Sequence, residues 1–462
     1  MLKSETAQAV IDHALFRGAD FAELYVERHR SSQIELLSSH VDGINTGIDF
    51  GIGVRLFVDD RILYGYTNRT DREELLRITS LLLARDRRDA ITQAVPFSGV
   101  RRIDVHPTEL KLSETPSLED KIRYLKVMDQ TARAQGEKIQ QFVGKILQRE
   151  QDIEVFNSEG AHCQDTRHYT RIVSMAIAQD GDEQASGYEM PGALQGWEFN
   201  RKMDPVILAT EAASSALRKL GADDCPSGEL PVVLGNGFGG VIFHEACGHL
   251  LETTSVQKKA SVFHDQMGEM IATSVVNAVD DGCIENEWGS LNIDDEGMPT
   301  ERTQLIENGR LVHFMVDKMG AQKTGYRRTG SGRRQNYRYA PASRMRNTFI
   351  EAGDSELEDM IATIDYGIYA KKMGGGSVKP GTGEFNFAVR EPYLIERGKI
   401  SRPLRSATLI STGPKVLKEI SMVGNDFAMS AGMCGSVSGA IPATVGQPSI
   451  KVDRILVGGQ SE

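Results

Sequence analysis

Gly221-Ala222-Asp223-Asp224-Cys225-Pro226-Ser227-Gly228 divides the chain into two stretches of different texture. It is a cluster of turn formers placed directly after an amphipathic segment, Pro205 to Leu220, so a helix ends here and the chain changes direction. Upstream, both periodicities alternate. Thr6 to Leu15 reads as a helix, and Phe21 to Val26 and Ile34 to Leu37 read as strands. Val54 to Val58 turns at Asp59-Asp60 into Ile62-Leu63-Tyr64, a hairpin within Gly51 to Tyr66. Amphipathic stretches at Arg72 to Arg88 and Leu118 to Ala134 flank a connector with Pro96 and Pro107. Strands are expected near Gln140 to Leu147 and Arg171 to Ala178. Helices on an antiparallel sheet make this an α+β region. From Glu229 onward glycine is frequent and short strands dominate, as in Thr303 to Ile306 and Leu311 to Val316 about Glu307-Asn308-Gly309-Arg310, or Tyr393 to Ile395 before Glu396-Arg397-Gly398-Lys399. The expectation is an α+β fold of two domains: 1–222, an antiparallel sheet with helices, and 229–462, β-rich and carrying the helix that includes His244.

The bulk properties agree with a globular protein and narrow its partners. The 462 residues suit two or three domains at roughly 100–200 residues each. Hydrophobic residues make up 40% and charged residues 25%, with a net charge of −11, which disfavours nucleic acid and anionic lipid unless a local basic patch intervenes. Five scattered cysteines do not form a disulfide framework and suggest a reducing compartment. Met1-Leu2-Lys3-Ser4-Glu5 lacks a signal-peptide pattern, and no uncharged apolar run approaches the span of a membrane helix. A cytoplasmic location without a membrane is expected.

The sharpest chemical signal is His244-Glu245-Ala246-Cys247-Gly248-His249, inside the apolar stretch Gly239 to Leu251. Two neutral imidazoles can bind zinc, and a neighbouring carboxylate can take a proton from an attacking water. A buried helix with hydrogen-bonded histidines is the plainer alternative. The familiar protease motif places its histidines four apart. Here they are five apart, about 140° round a regular helix, so a π-bulge or broken turn around Ala246 to Gly248 is required for both rings to face one ion. A catalytic site usually has three protein ligands, and Glu252, Cys247 and Cys434 are the candidates for the third.

Two other features compete. Gly235-Asn236-Gly237-Phe238-Gly239-Gly240 matches G-x-G-x-x-G, so an NAD-type dinucleotide site in an oxidoreductase is an alternative; the acidic residue expected about 20 positions on is missing. The interval Lys318 to Ile350 holds Lys318, Lys323, Arg327, Arg328, Arg333, Arg334, Arg338, Arg344 and Arg346 without one acid. RNA or partner binding, recognition of peptide carbonyls, and a solvated face are its possible uses. His162-Cys163 with His168 reads as packing and surface rather than a metal site.

The segment His244-Glu245-Ala246-Cys247-Gly248-His249-Leu250-Leu251-Glu252 resembles the H-E-x-x-x-H motif of the TldD/PmbA metalloproteases, specifically the TldD branch. Val279-Asp280-Asp281-Gly282, Ile293-Asp294-Asp295-Glu296-Gly297, Gly330-Ser331-Gly332-Arg333-Arg334, Gly374-Gly375-Gly376, Ile420 to Asp426, Cys434-Gly435 and Val445 to Pro448 extend the likeness along nearly the whole chain. The resemblance implies a zinc peptidase that cleaves unstructured peptides or unfolded segments, as in peptide maturation. It implies one Zn2+ held by His244, His249 and Cys434, with Glu245 as general base. It also implies a dimer, either with a homologous PmbA/TldE-like subunit or with a second copy. Arg333, Arg334 and the backbone at Gly374, Gly375 and Gly376 are the residues expected to hold substrate.

Overall fold

The computed structural model describes residues 2–459 apart from 87, 89–92, 104–105, 107–115 and 380, so Pro107 of the expected connector lies outside the described residues. The fold is α+β. Every described strand from Phe21–Leu37 to Gly192–Ala193 belongs to one eight-stranded sheet whose centre is the antiparallel run Arg61–Thr67, His40–Val58, Phe21–Leu37, Ile139–Asn157, His162–Asp180. The hairpin turns at Asp59, which takes a positive φ of 53° as an aspartate in a tight turn can. Two strands expected at Phe21 to Val26 and Ile34 to Leu37 form one strand of 17 residues. The polar run between them stays extended because its backbone is paired on both sides, with His40–Val58 and with Ile139–Asn157. Helices Ser4–Phe16 and Arg72–Leu82 cover one apolar patch of the sheet, and Leu118–Ala134 and Pro205–Lys219 cover another. Asp71 and Ser117 cap two of these helices, each accepting a hydrogen bond from a backbone N–H three residues on.

After Gly228 the strands join other sheets. Tyr366–Lys379, Gly228–Leu234, Ile450–Gly459, Ala407–Thr412 and Glu384–Glu396 pair in succession, and the last pairs again with the first, closing a barrel that removes the sheet edges. Beside it lies a six-stranded sheet in the order Arg310–Leu311, Arg302–Glu307, Ala278–Asp281, Asn347–Ile350, Gly439–Gln447, Ala428–Ser436, which leaves Ala428–Ser436 at an edge. A short helix, Val241–Ala246, packs against strands of both layers. The largest apolar core is continuous around it: Val241, Ile242 and Phe243 join Ile368, Phe387 and Ile441. None of the described helices is long and apolar enough to cross a membrane.

The two regions meet through buried charge. Arg55 is fully buried and bonds Glu23 of its own sheet and Glu296 of the second region. Arg334 reaches back to Glu23 at 2.7 Å, Arg328 pairs with Glu296 at 2.9 Å, and Arg167 pairs with Asp295 at 2.7 Å. The basic stretch therefore finds its acids far away in sequence. Arg327 bonds Glu301, Arg338 bonds Asp49, Arg346 bonds Asp280, and Lys318 bonds Glu159. This weighs against the RNA-binding alternative, because these cations are paired with acids and others of the run, Arg334, Arg344 and Arg346, are removed from solvent altogether.

Candidate metal centre

The glycines before the helix bring it against the sheet. A Cβ on Gly240 would lie 2.5 Å from Gly446 O, and one on Gly239 would lie 2.5 Å from Gln447 Nε2, so only glycine lets this turn press onto strand Gly439–Gln447. That strand pairs with Ala428–Ser436, which carries Cys434 opposite Ile441. Close packing is thus the use of Gly235 to Gly240, and it corrects the dinucleotide reading: no βαβ unit follows, and the chain proceeds from a six-residue helix into a different, mostly antiparallel sheet.

The helix also ends where the histidine spacing requires. It stops at Ala246, Cys247 adopts φ −132° and ψ −53°, and Gly248–Leu250 form a 3-10 turn. The distortion is a broken turn rather than a π-bulge. Gly413 packs against the freed carbonyl, since a Cβ there would sit 1.9 Å from Ala246 O. The break rotates His249 toward His244, and the ring centroids lie 5.0 Å apart and nearly perpendicular.

Cys434 completes the cluster from 190 residues away. Its Sγ lies 3.2 Å from His244 Nε2 and 3.3 Å from His249 Nε2, and the three donor atoms all fall within 4.8 Å of one another. All three side chains are buried. Tetrahedral zinc with Zn–N near 2.0 Å and Zn–S near 2.3 Å separates such donors by about 3.5 Å, so the spacing and the two-nitrogen, one-sulfur donor set fit that ion. Burial alone would raise the Cys434 thiol, but the facing imidazoles of His244 and His249 overrule it and hold the thiol well below its ordinary value. Burial would depress His249, whereas Glu252 and Cys434 raise it well above the usual imidazole range. A cation among these three groups would take the place of the protons they share. Cys247 is the contrasting case: it is fully buried, and desolvation alone pushes its thiol far up, so it behaves as a small apolar residue.

Two neighbours hold these side chains in place. Glu252 Oε2 accepts from His249 Nδ1 at 3.2 Å, so this carboxylate orients the imidazole ring. Arg344 is fully buried; its Nη2 donates to Cys434 O at 2.6 Å and lies 3.2 Å from Sγ, and its Nη1 donates to Ser438 Oγ and Gly439 O. It thereby fixes the hairpin that presents the thiol. Sequence reasoning saw Arg344 only as part of a basic run; its role follows from a contact across 90 residues. Glu245 is the partly exposed member, with Oε2 3.7 Å from His249 Nε2.

The residues expected to hold substrate are not members of this three-donor cluster. Arg333 is buried, donates to Met345 O at 2.6 Å, and is pushed down to about 10 by desolvation. Arg334 is committed to Glu23 and Asp295. Gly374, Gly375 and Gly376 lie on a bulged part of strand Tyr366–Lys379. His162 bonds Glu154 at 2.9 Å and Cys163 donates to Gly297 O, which leaves them as packing residues.

The chain is similar to known proteins along nearly its full length. Residues 22–84, 111–220 and 227–459 match PmbA/TldA metallopeptidase domain 1, central domain and C-terminal domain respectively. The chain is 34% identical to a metalloprotease TldD homolog of Haemophilus influenzae, over 99% of this chain and 97% of that one. It is 26% identical to a zinc metalloprotease TldD homolog of Saccharolobus solfataricus, over 96% and 97%. The crystal structure of TldE from Thermococcus kodakarensis superimposes with a TM-score of 0.77 at 19% identity, covering 98% of this chain and all of that one. With all three domains matched in order and an identity of 34% to a named relative, the chain belongs to the PmbA/TldD family of metallopeptidases.

Proposed function

We propose that this protein is a zinc-dependent peptidase acting on unstructured peptides or unfolded segments, with His244, His249 and Cys434 as ligands and Glu245 as general base. The observation that carries the reading is the convergence of those three donors, with a carboxylate 3.7 Å from one of them. Bound there, zinc would supply Lewis acidity toward a scissile carbonyl and would acidify water to a pKa of about 7. Glu245 accepts the proton of the attacking water at its partly exposed carboxylate and passes it to the departing amine. Glu252 keeps the His249 ring oriented, and Arg344 holds the Cys434 hairpin. The reading extends to a two-domain division at 1–222 and 229–462, a cytoplasmic setting suited to five free thiols, and a dimer formed with a PmbA/TldE-like subunit or a second copy, acting in peptide maturation.

The test is metal analysis of the purified protein alongside digestion of an unfolded substrate with and without chelator. About one zinc per chain and chelator-sensitive cleavage are expected. Glu245→Gln should keep the zinc and lose on the order of 10²-fold or more of the hydrolysis. Near-normal turnover in the zinc-loaded variant would assign the base elsewhere, and cleavage indifferent to the chelator would refute the reading.

A further inference from the structure

A cavity of about 410 Å³ lies between the two regions of the chain, walled by Tyr188 and Lys219 from the first and by Phe238, Lys371, Gly375 and Arg390 from the second. None of the three zinc-ligating residues lines it. Its charge is unbalanced. Glu391 in its wall is already satisfied, accepting from Ser215 Oγ at 3.0 Å, Tyr393 OH at 2.7 Å and Arg218 at 3.2 Å, with Lys371 3.4 Å away. Glu189 is paired with Lys372. Lys219 donates to a carbonyl, Ser186 O, at 2.7 Å. Arg390 lies with its guanidinium 4.1 Å from the centroid of the Tyr188 ring, and among the described residues no carboxylate pairs with it. The walls thus hold four cations, Lys219, Lys371, Lys372 and Arg390, against two carboxylates, in a chain whose net charge is −11.

The cavity and the metal centre share two elements. Gly237, Phe238 and Gly239 line the cavity and lead directly into the helix that carries His244. Ser430 lines it and stands on the strand that carries Cys434. Alternation along that strand puts Ser430, Gly432 and Cys434 on one face, and four residues at about 3.3 Å each set Ser430 of the cavity wall roughly 13 Å along the strand from Cys434. The Phe238 ring lies beside Gly432, along that line. An extended peptide covers the same distance in about four residues.

We infer that this cavity binds a carboxylate of the substrate about four residues from the cleaved bond, Arg390 being its main cation; the inference rests on the peptidase reading above. A guanidinium seated over an aromatic ring keeps N–H groups for a carboxylate, and a partly desolvated site strengthens that bond. The carboxylate can come from an acidic side chain or from the end of the peptide chain.

The experiment uses the zinc-loaded protein and unstructured fluorogenic peptides in which one Glu, or one Gln, is placed at successive positions from the cleaved bond. A second set ends in a free carboxylate or an amide. The ratio of kcat/KM between Glu and Gln peptides should peak at about tenfold near the fourth position. It should fall toward one in Arg390→Gln and be partly kept in Arg390→Lys, with melting temperatures recorded to show that both variants fold. A terminal-acid preference without a side-chain preference would identify the chain end as the source. A Glu/Gln ratio that is flat along the series with no preference for a terminal acid over an amide, or a carboxylate preference of either kind that survives Arg390→Gln in a folded protein, overturns the inference. Binding of the same peptides to Glu245→Gln, read by fluorescence anisotropy, separates the two readings. Carboxylate-dependent binding by a protein whose wild type cleaves nothing keeps the cavity and discards the peptidase. Cleavage without carboxylate preference does the reverse.

Discussion

Removing the Glu252 carboxylate should weaken zinc binding without removing a ligand. Glu252 is 2% exposed, and its Oε2 accepts from His249 Nδ1 at 3.2 Å. A proton held on Nδ1 leaves the lone pair of Nε2 directed at the side where Cys434 Sγ lies 3.3 Å away, so the carboxylate fixes both the tautomer and the ring plane. In Glu252→Gln the amide oxygen still accepts that bond but the charge is gone, and a loss of about tenfold in zinc affinity, near 1.4 kcal/mol, is expected. Glu252→Ala also leaves Nδ1–H buried without a partner and removes the acid whose Oε1 lies 3.9 Å from the fully buried Arg344 guanidinium. Its loss should approach 100-fold, or about 2.8 kcal/mol. Competition titration against a chromophoric chelator near neutral pH measures both, with melting curves of the metal-free proteins as the control for folding. An alanine variant that binds zinc within about threefold of wild type would refute the orienting role, since supporting carboxylates typically contribute ten- to a hundredfold. Complete loss of zinc in Glu252→Gln would instead make the carboxylate a ligand.

Two further outcomes follow from the buried charges. Arg55→Met strips a fully buried cation from Glu23 and Glu296; Arg334 and Arg328 remain beside them, and the expected destabilisation is still about 3 kcal/mol. Denaturant titration should show it, with partial recovery in Arg55→Met combined with Glu296→Gln; an unshifted midpoint in the single variant would be incompatible with this account. Burial raises the Glu391 carboxyl, but the Tyr393 hydroxyl, Lys371 and Arg218 outweigh burial and hold it at about 2. The folded value lies below the unfolded value near 4.3, so this group stabilises the fold above that pH and the contribution is lost as pH falls from there through about 2. Wild-type stability should accordingly fall more steeply across that window than stability of Glu391→Gln, and identical acid limbs would show that the carboxylate carries no such linkage.

How much of this was legible in the sequence depended on whether the cause was local. The hairpin at Asp59-Asp60, the helix Leu118–Ala134 and the break after Ala246 follow from turn chemistry, apolar spacing and the angle between residues five apart, and each involves residues within about one element of each other. Gly248 shows the limit. It suits a distorted turn, but its sharper constraint is that a Cβ would lie 2.2 Å from Met345 Sδ, a contact that no local pattern contains. Cys434 was indicated only by family resemblance, because nothing near Gly432-Met433-Cys434-Gly435 distinguishes a ligand from a buried thiol. The closed barrel was hidden because its other pairings are distant: Gly228–Leu234 pairs with Tyr366–Lys379 on one side and with Ile450–Gly459 on the other, at opposite ends of the second region.

The arginine run was visible at once and its meaning was not, because a charge declares its role only with its counter-charge. Its partners include the acid run Asp294-Asp295-Glu296, which carries both local turn bonds and the contacts with Arg55, Arg167, Arg328 and Arg334. Within that run, Arg334 is tied to Glu23 of the first sheet, Arg333 to the carbonyl of Met345, and Arg344 to the hairpin of Cys434. Met345 itself packs where Gly248 lacks a side chain, directly beside the histidine motif. One piece of backbone therefore joins the contact between the two regions to both halves of the metal centre. Charges that would be costly to bury singly are here each met by a carboxylate or a carbonyl, so the run can lie inside a chain that is acidic overall.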